Sequence, residues 1–317
     1  MYMTSQRFIN IVRSFLLATG VVAPWLLGIM THNAAAGSIA SFGTYLMIIS
    51  FPFLPKRRAW LVLAISALVH SVFSAIGASV ILGSLAFFLF AAIVAFIQGV
   101  SELRKSVLSL PVALAALAFF LSVGQAADGD EVFFLTYFFS GTVWGGIMTF
   151  ALVATATEDT KAVNKPNWLS SQKPFLASMV GVSLIASIVA TMVPSTHPCW
   201  LPAAALRVMK PTRQQTKKRI RDRALGSLLG ACFGGLLLGL YTFPLLHVFF
   251  VLLLVFGMLM IGAKHYAIWT FCLTAVALTF NLHPGSSALL IATDRVLLTV
   301  GGLFITALAL WVLPDEL

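Results

Sequence analysis

Long apolar runs separated by short polar breaks occupy nearly the whole chain. A membrane-spanning helix needs roughly 20 mainly apolar residues, because the hydrocarbon core is about 30 Å thick and each helical residue rises about 1.5 Å. On that length the chain divides into about twelve segments, each predicted to be a helix. They lie near residues 9–30, 35–54, 59–79, 81–99, 107–124, 133–155, 174–193, 197–209, 223–241, 244–262, 265–282 and 288–313. The eighth is too short to cross comfortably, and Pro198 and Pro202 interrupt it.

Lysine and arginine fall in alternate loops between these segments. The basic positions lie at the start of the chain and after segments two, four, six, eight and ten: Arg7 and Arg13, 56–58, 104–105, 161–173, 210–223 and Lys264. The intervening loops contain neither residue type: THNAAAG, SVILG, AADGDE, STHP, YTFP and NLHPGSS. Cytoplasmic loops of membrane proteins collect lysine and arginine. The alternation therefore predicts a multi-pass membrane protein with both termini in the cytoplasm.

An even number of segments permits a duplication, and the sequence contains weak internal matches. Segment six reads VWGGIMTFALV at 143–153 and segment twelve reads TVGGLFITALA at 299–309. Thr31-His32 precedes segment two, and Thr196-His197 opens segment eight. We therefore predict an all-α membrane helix bundle of two six-helix repeats, residues 1–160 and 161–317, related as parallel repeats about an axis normal to the membrane.

Composition supports the membrane assignment and excludes several classes of function. The chain has 60% hydrophobic and 9% charged residues and a mean hydropathy of +0.98. Its net charge of +10 fits basic cytoplasmic loops, so nucleic acid is not an expected partner. The three cysteines form no C-x-x-C motif or Cys/His cluster, so no metal or other cofactor is predicted. The first apolar run has no clear cleavage site and is read as a retained helix rather than a signal peptide.

The basic linker 210–223 and the glycines after it are read first as structural features. The linker suits a positive-inside anchor on anionic lipid headgroups, or equally a vestibule that concentrates anions. Gly226, Gly230 and Gly234 fall every fourth residue on one helix face. This small-xxx-small pattern predicts close packing against another membrane helix.

Asp294 and Arg295 are the strongest candidates for a functional site, because they lie about a quarter of the way into segment twelve. Charges at membrane depth usually face a bundle interior or an aqueous cavity, since each costs roughly 2.5–3.5 kcal/mol on insertion scales. A guanidinium matches a carboxylate substrate, and a buried carboxyl can carry a proton. We predict Arg295 as substrate-binding and Asp294 as proton-coupling. A structural network, or a place at the external interface, remains the alternative.

Weaker candidates are Arg207 in segment eight, as a second cation that binds substrate, and His70 in the middle of segment three, as a proton relay. Arg207 is also close enough to the cytoplasm to snorkel, and His70 equally suits helix packing. The chain contains no nucleophile triad, phosphate loop or HExxH motif, so we do not expect an enzyme.

A stretch from Trp200 to Gly234 carries a family resemblance. It contains a tryptophan, Pro211, a basic linker and Arg223-x-x-Gly226-Ser227-x-x-Gly230, and Arg295-x-x-x-Thr299-x-Gly301-Gly302 is a second match. The pattern resembles the fusaric acid resistance protein-like, aromatic acid exporter family, with Ser227 in place of the usual threonine, and is distantly similar to plant malate anion channels. The resemblance implies an inner-membrane exporter of aromatic or other organic acids, in some members with a periplasmic adaptor protein. The resemblance also implies a bacterial inner membrane of Gram-negative type. Many members carry a large cytoplasmic domain, which is not expected within these 317 residues.

The leading functional prediction is therefore proton-coupled export of small organic carboxylates, aromatic acids included. Two alternatives stay open, namely a passive organic-anion channel and a non-transporting membrane subunit of a larger complex. Expected partners are the organic anion, the lipid bilayer, an adaptor and further copies of the chain. The sequence does not decide substrate identity, direction, energy coupling or oligomeric state.

Overall fold

A computed structural model describes residues 2–55, 58–124, 130–153, 155–156, 172–239, 243–262, 265–280 and 287–313. In this part of the chain there are twelve helices and two very short strands. The helices are α1 Tyr2–Met30, α2 Ala34–Ile49, α3 Ala59–Ser79, α4 Leu85–Arg104, α5 Ser109–Ser122, α6 Glu131–Leu152, α7 Lys173–Met192, α8 Trp200–Val208, α9 Arg213–Gly239, α10 Pro244–Ile261, α11 Tyr266–Phe280 and α12 Ala288–Ala309. The strands are β1 Leu54–Pro55 and β2 Thr155–Ala156, which pair in parallel. Each of the predicted segments coincides with one helix, and the helical class is confirmed.

Six of the described helices are long and apolar enough to cross a membrane: Arg7–Met30, Ala59–Ser79, Leu85–Arg104, Glu131–Leu152, Lys173–Met192 and Leu289–Ala309. Four further apolar helices are shorter: Ala34–Ile49, Ser109–Ser122, Leu245–Ile261 and Tyr266–Thr279. The chain is thus a helical membrane bundle. Twelve separate crossings stay a prediction.

The distribution of side chains is the reverse of that in a soluble domain. Large apolar side chains such as Leu85 and Trp311 are 85% exposed, whereas the hydroxyls of Ser74, Thr149 and Ser183 belong to fully buried residues. Soluble folds bury such apolar groups because water excludes them. Lipid does not, so the exposed surface of these helices is suited to hydrocarbon.

Helix α9 begins ten residues before the position that hydropathy predicted, at Arg213 rather than residue 223. The backbone N–H of Gln215 donates to the Thr212 hydroxyl at 3.4 Å, and that of Thr216 donates to the Thr212 carbonyl at 3.0 Å. Lysine, arginine and glutamine are good helix formers, so nothing in the linker stops the helix. The basic linker is therefore a helical extension rather than a loop.

The chain forms two compact units. Unit 1 comprises Met1–Pro52, Val132–Ala154 and Asp222–Val296. In it α1 packs on α2 and α10, and α11 packs on α10 and α2. The Thr44 hydroxyl of α2 donates to the Gly141 carbonyl of α6 at 3.0 Å, which joins those helices. Residues of α9 lie against α11, because the α9 glycines offer no side chain there.

Unit 2 comprises Phe53–Glu131, Thr155–Arg221 and Leu297–Leu317. In it α7 packs on α8 and α4, and α5 packs on α4, α8 and α3. The Thr306 hydroxyl of α12 lies 3.2 Å from the Ala205 carbonyl of α8, to which it donates. The short helix α8 is almost wholly buried, with Arg207 as its one partly exposed residue.

The two units share one packing pattern, in which each helix of unit 1 corresponds to the helix of unit 2 whose number differs by six. Four packed pairs correspond in this way: α1–α2 with α7–α8, α1–α10 with α7–α4, α10–α11 with α4–α5, and α2–α11 with α8–α5. Each unit takes helices from both of the predicted halves, 1–160 and 161–317.

Candidate functional site

Two arginine side chains are buried in unit 1. Arg223 of α9 is 0% exposed and Arg295 of α12 is 2% exposed, and both are among the largest fully buried side chains described. No carboxylate is buried anywhere in the described part of the chain, where Glu102, Asp222 and Asp294 are partly exposed and the other acids exposed. A buried charge is costly unless a partner compensates it. Such residues at membrane depth commonly mark a functional site.

The two guanidinium groups act on each other electrostatically. Arg223 disfavours the charge of Arg295, since like charges repel, while Tyr45 of α2 favours it. Tyr45 is itself 1% exposed, and its hydroxyl donates to the Met258 sulfur at 3.3 Å. Arg223 has no hydrogen-bond partner at Nε or Nη1 among the described residues. The cluster Tyr45, Arg223 and Arg295 is called here the arginine site.

Helix α9 is positioned for this site by its contact with α11. A Cβ added to Gly226 would clash with the Ala267 carbonyl and the Thr270 hydroxyl, and one added to Gly230 would lie 2.5 Å from the Phe271 carbonyl. These contacts fix the rotation of α9 about its axis. Arg223 lies three residues before Gly226 and seven before Gly230, so it shares their buried face.

An arrangement of two guanidinium groups without a buried carboxylate is suited to an anion. Guanidinium is weakly hydrated, stays charged when buried, and presents donors in a fork that matches carboxylate oxygens. A bound anion would both supply the missing acceptors for Arg223 and reduce the repulsion between the two arginines. The chemistry of the site therefore suits recognition of an anion.

The predicted site residues are distributed over both units. Arg295 lies in the arginine site, and Asp294, the preceding residue, is only partly buried. Arg207 lies in unit 2, where it acts electrostatically on Lys210. His70 is 0% exposed in the middle of α3, also in unit 2. The structure thus brings neither Arg207 nor His70 into the same unit as Arg295.

Two residues of the site were absent from the sequence-based list. Arg223 was grouped with the basic linker, although its spacing to Gly226 and Gly230 is the signal that places it on the packed face. Tyr45 carries no such signal, because its contribution depends on where α2 lies in the fold.

Unit 2 contains a partly buried ion pair near the ends of α4 and α8. The Lys210 ammonium lies 2.6 Å from the Glu102 carboxylate. Burial lowers the pKa of Lys210, and the Glu102 carboxylate opposes that shift. The Thr216 hydroxyl accepts from the Lys210 backbone N–H at 2.9 Å and donates to its carbonyl at 3.0 Å. Arg213 Nε donates to the Leu310 carbonyl at 2.9 Å. The cluster ties the start of α9 to the ends of α4 and α12.

We expect Glu102→Gln to destabilise the protein by about 1–2 kcal/mol at neutral pH, because a largely buried ammonium loses its counter-charge. The pKa of Lys210 in the folded protein lies below its ordinary value, so raising the pH through that lowered pKa removes the charge of the ammonium. The stability that Glu102→Gln loses relative to wild type should therefore be smaller at alkaline pH. Thermal unfolding in detergent at the two pH values checks this. Glu131→Gln, an exposed acid on α6, is the control and should have no effect. An equal deficit at both pH values would contradict the account.

A small cavity in unit 2 lies at the end of α5 and the start of α8. Its volume is about 200 Å³, and it is lined by residues of both helices and the loops beside them: Leu82, 120–121, 123–124 and 195–200. The His197 ring stacks on the Trp200 indole at 4.5 Å between centroids. Among the described residues no group of three or more His, Cys, Asp or Glu side chains is placed to hold a metal ion.

Comparison with known proteins gives one match. Residues 183–309 match the family described as fusaric acid resistance protein-like. No curated protein and no solved structure matches the chain. The matched region contains Arg207, Arg223 and Arg295, and it begins within α7 and ends with α12. The match over residues 183–309 confirms the resemblance to this family that the sequence indicated, and the family implies membrane transport of some kind.

Proposed function

We propose that this protein transports small organic carboxylates across the membrane and binds them at the arginine site. The buried pair Arg223 and Arg295 carries the proposal, because it places two cationic side chains in a bundle in which no described carboxylate is fully buried. A transported carboxylate would lose its hydration shell on entering, and guanidinium donors would replace that shell.

The proposal assigns roles to the other predicted residues. Arg207 and Arg219 both act electrostatically on Lys210. Arg207 would form part of a cytoplasmic basic surface that attracts anions. Asp294 and His70 are the groups that would handle protons if transport is proton-coupled. Aromatic acids as substrates, export as the direction and a bacterial inner membrane as the location follow from the family match. The alternating basic loops favour cytoplasmic termini.

The shared packing of the two units supports a duplicated chain. Corresponding positions recur at nearly constant offsets. Gly145 of α6 lies against the Thr44 carbonyl of α2, and Gly302 of α12 lies against the Leu201 carbonyl of α8. The hydroxyls of Thr149 and Thr306 each donate to the carbonyl of the glycine four residues earlier. We infer that each repeat contributes helices to both compact units.

The experiment is uptake of labelled benzoate, 4-hydroxybenzoate and succinate into proteoliposomes that contain the purified protein. We expect saturable flux of at least one anion, which Arg223→Gln and Arg295→Gln abolish in correctly folded protein. Empty liposomes are the control. Flux that is saturable and responds to an imposed pH gradient supports a carrier, whereas unitary currents without a pH gradient support the passive channel. No flux of any anion would contradict the proposal and favour a non-transporting subunit.

A further inference from the structure

Helix pair α3 and α5 in unit 2 packs in the same register as helix pair α9 and α11 in unit 1. The Ser74 and Ser122 hydroxyls of the first pair lie 2.6 Å apart, and the Thr274 and Ser227 hydroxyls of the second lie 3.3 Å apart. In both α3 and α9 a glycine follows three residues after the serine and lies against a phenylalanine carbonyl of the other helix: Gly77 against Phe119, and Gly230 against Phe271. Each contact of the first pair therefore has a counterpart in the second, so the two pairs pack in the same register.

This register places His70 at the position of Arg223. Each lies four residues before the serine of its helix and seven before the glycine, as the runs HSVFSAIG at 70–77 and RALGSLLG at 223–230 show. Both side chains are 0% exposed. Where one unit carries a permanent cation, the other carries a group whose charge depends on proton binding.

The hydrogen bond at His70 fixes which ring nitrogen is basic. Nδ1 lies 2.7 Å from the Ser66 carbonyl oxygen, which can only accept, so Nδ1 carries the proton and donates. Nε2 is therefore the nitrogen that takes up a further proton. Ser66 and Ser74 are also buried, at 1% and 0% exposure, one turn on either side of His70. The three form a buried polar stripe along a helix long enough to cross a membrane.

Charged groups near this stripe are few. Of the elements that pack on α3, helix α5 and strand β1 contain no titratable residue. Helix α4 contains Glu102 and Arg104, both in its last turn, whereas His70 lies at the middle of α3. Arg58 precedes the first residue of α3. An imidazolium at His70 would therefore lie among buried hydroxyls and apolar side chains, where a charge is costly.

We propose that His70 is the proton-binding residue of the transport cycle, which takes a proton at Nε2 from one side of the membrane and releases it to the other. This rests on the proposed function and deepens it, since it names the group that links protons to anions. His70 supplies by protonation the positive charge that Arg223 supplies permanently at the equivalent position.

The test compares His70→Gln and His70→Arg with wild type in proteoliposomes loaded with benzoate. Two quantities are measured: downhill benzoate exchange without a pH gradient, and uphill accumulation driven by a pH gradient with the membrane potential clamped. We expect accumulation to fall by roughly tenfold or more in both variants, because the proton carrier is removed. Downhill exchange should persist, and its pH profile should flatten. His247→Gln is the matched control, since His247 is a 1% exposed histidine of α10 whose ring packs edge-to-face against Trp25 in unit 1.

The outcomes separate this inference from the proposed function. Accumulation by His70→Gln at the wild-type level, or equal loss in His247→Gln, would overturn the role of His70. Downhill exchange without any accumulation in wild type would also overturn it, while leaving anion transport in place. Absence of downhill exchange in wild type would instead contradict the proposed function. Thermal unfolding of each variant distinguishes uncoupling from misfolding, and His70→Arg serves where His70→Gln does not fold.

Discussion

Arg223→Gln is expected to abolish high-affinity anion binding and, at the same time, to make the unliganded protein more stable. A hydrogen bond to a charged group contributes about 1.5–3 kcal/mol, so losing the Arg223 guanidinium should weaken binding by roughly tenfold to a hundredfold or more. Stability moves the other way, because the buried charge and its repulsion of Arg295 both disappear. Opposite signs for binding and stability are typical of a group retained for function.

The measurement is thermal unfolding of the detergent-solubilised protein with and without benzoate, which gives stability and ligand-induced stabilisation together. Arg221→Gln is the matched control, because it removes the same charge from an exposed position two residues earlier on α9. Arg223→Lys keeps the charge but not the donor fork, and should bind with intermediate affinity. If Arg223→Gln lowered stability and left the benzoate effect unchanged, Arg223 would be a structural residue and the arginine site would be misassigned.

Much of the fold follows from hydropathy, because membrane length limits apolar segments strongly. Segment three was predicted at 59–79 and α3 spans Ala59–Ser79. The start of α9 was not predicted, since hydropathy detects where a helix enters lipid and not where helical hydrogen bonding begins. Residues 213–222 are polar and helical together.

The arginine site was predicted only in part, for a related reason. Arg295 is conspicuous because apolar residues surround it in the sequence. Arg223 ends a run of basic residues, so its depth is visible only after the glycine face of α9 is known to pack against α11. Tyr45 joins the site through tertiary packing, which no local pattern encodes. The predicted repeats 1–160 and 161–317 stay a prediction, and the compact units show why they are hard to detect: each unit takes helices from both.

Gly226→Ala is expected to destabilise unit 1 strongly. The added methyl would meet the Ala267 carbonyl and the Thr270 hydroxyl of α11, and the backbone oxygen cannot rotate away. Overpacking of this kind costs typically about 1–3 kcal/mol, and here it acts on a contact between two helix backbones. Gly181→Ala on α7 is the matched control, because a Cβ there meets nothing within 4 Å and the helix gains up to about 1 kcal/mol from alanine. Thermal unfolding of both variants measures the difference.

The same substitution connects packing to function, because Arg223 lies on the face of α9 that Gly226 holds against α11. If α9 moves outward to accommodate the methyl group, the Arg223 guanidinium moves with it, and benzoate should stabilise Gly226→Ala less than it stabilises wild type. Gly181→Ala should retain the full benzoate effect. A variant that is destabilised yet binds benzoate normally would show that α11 does not position Arg223, and the register shared by His70 and Arg223 would then describe packing alone.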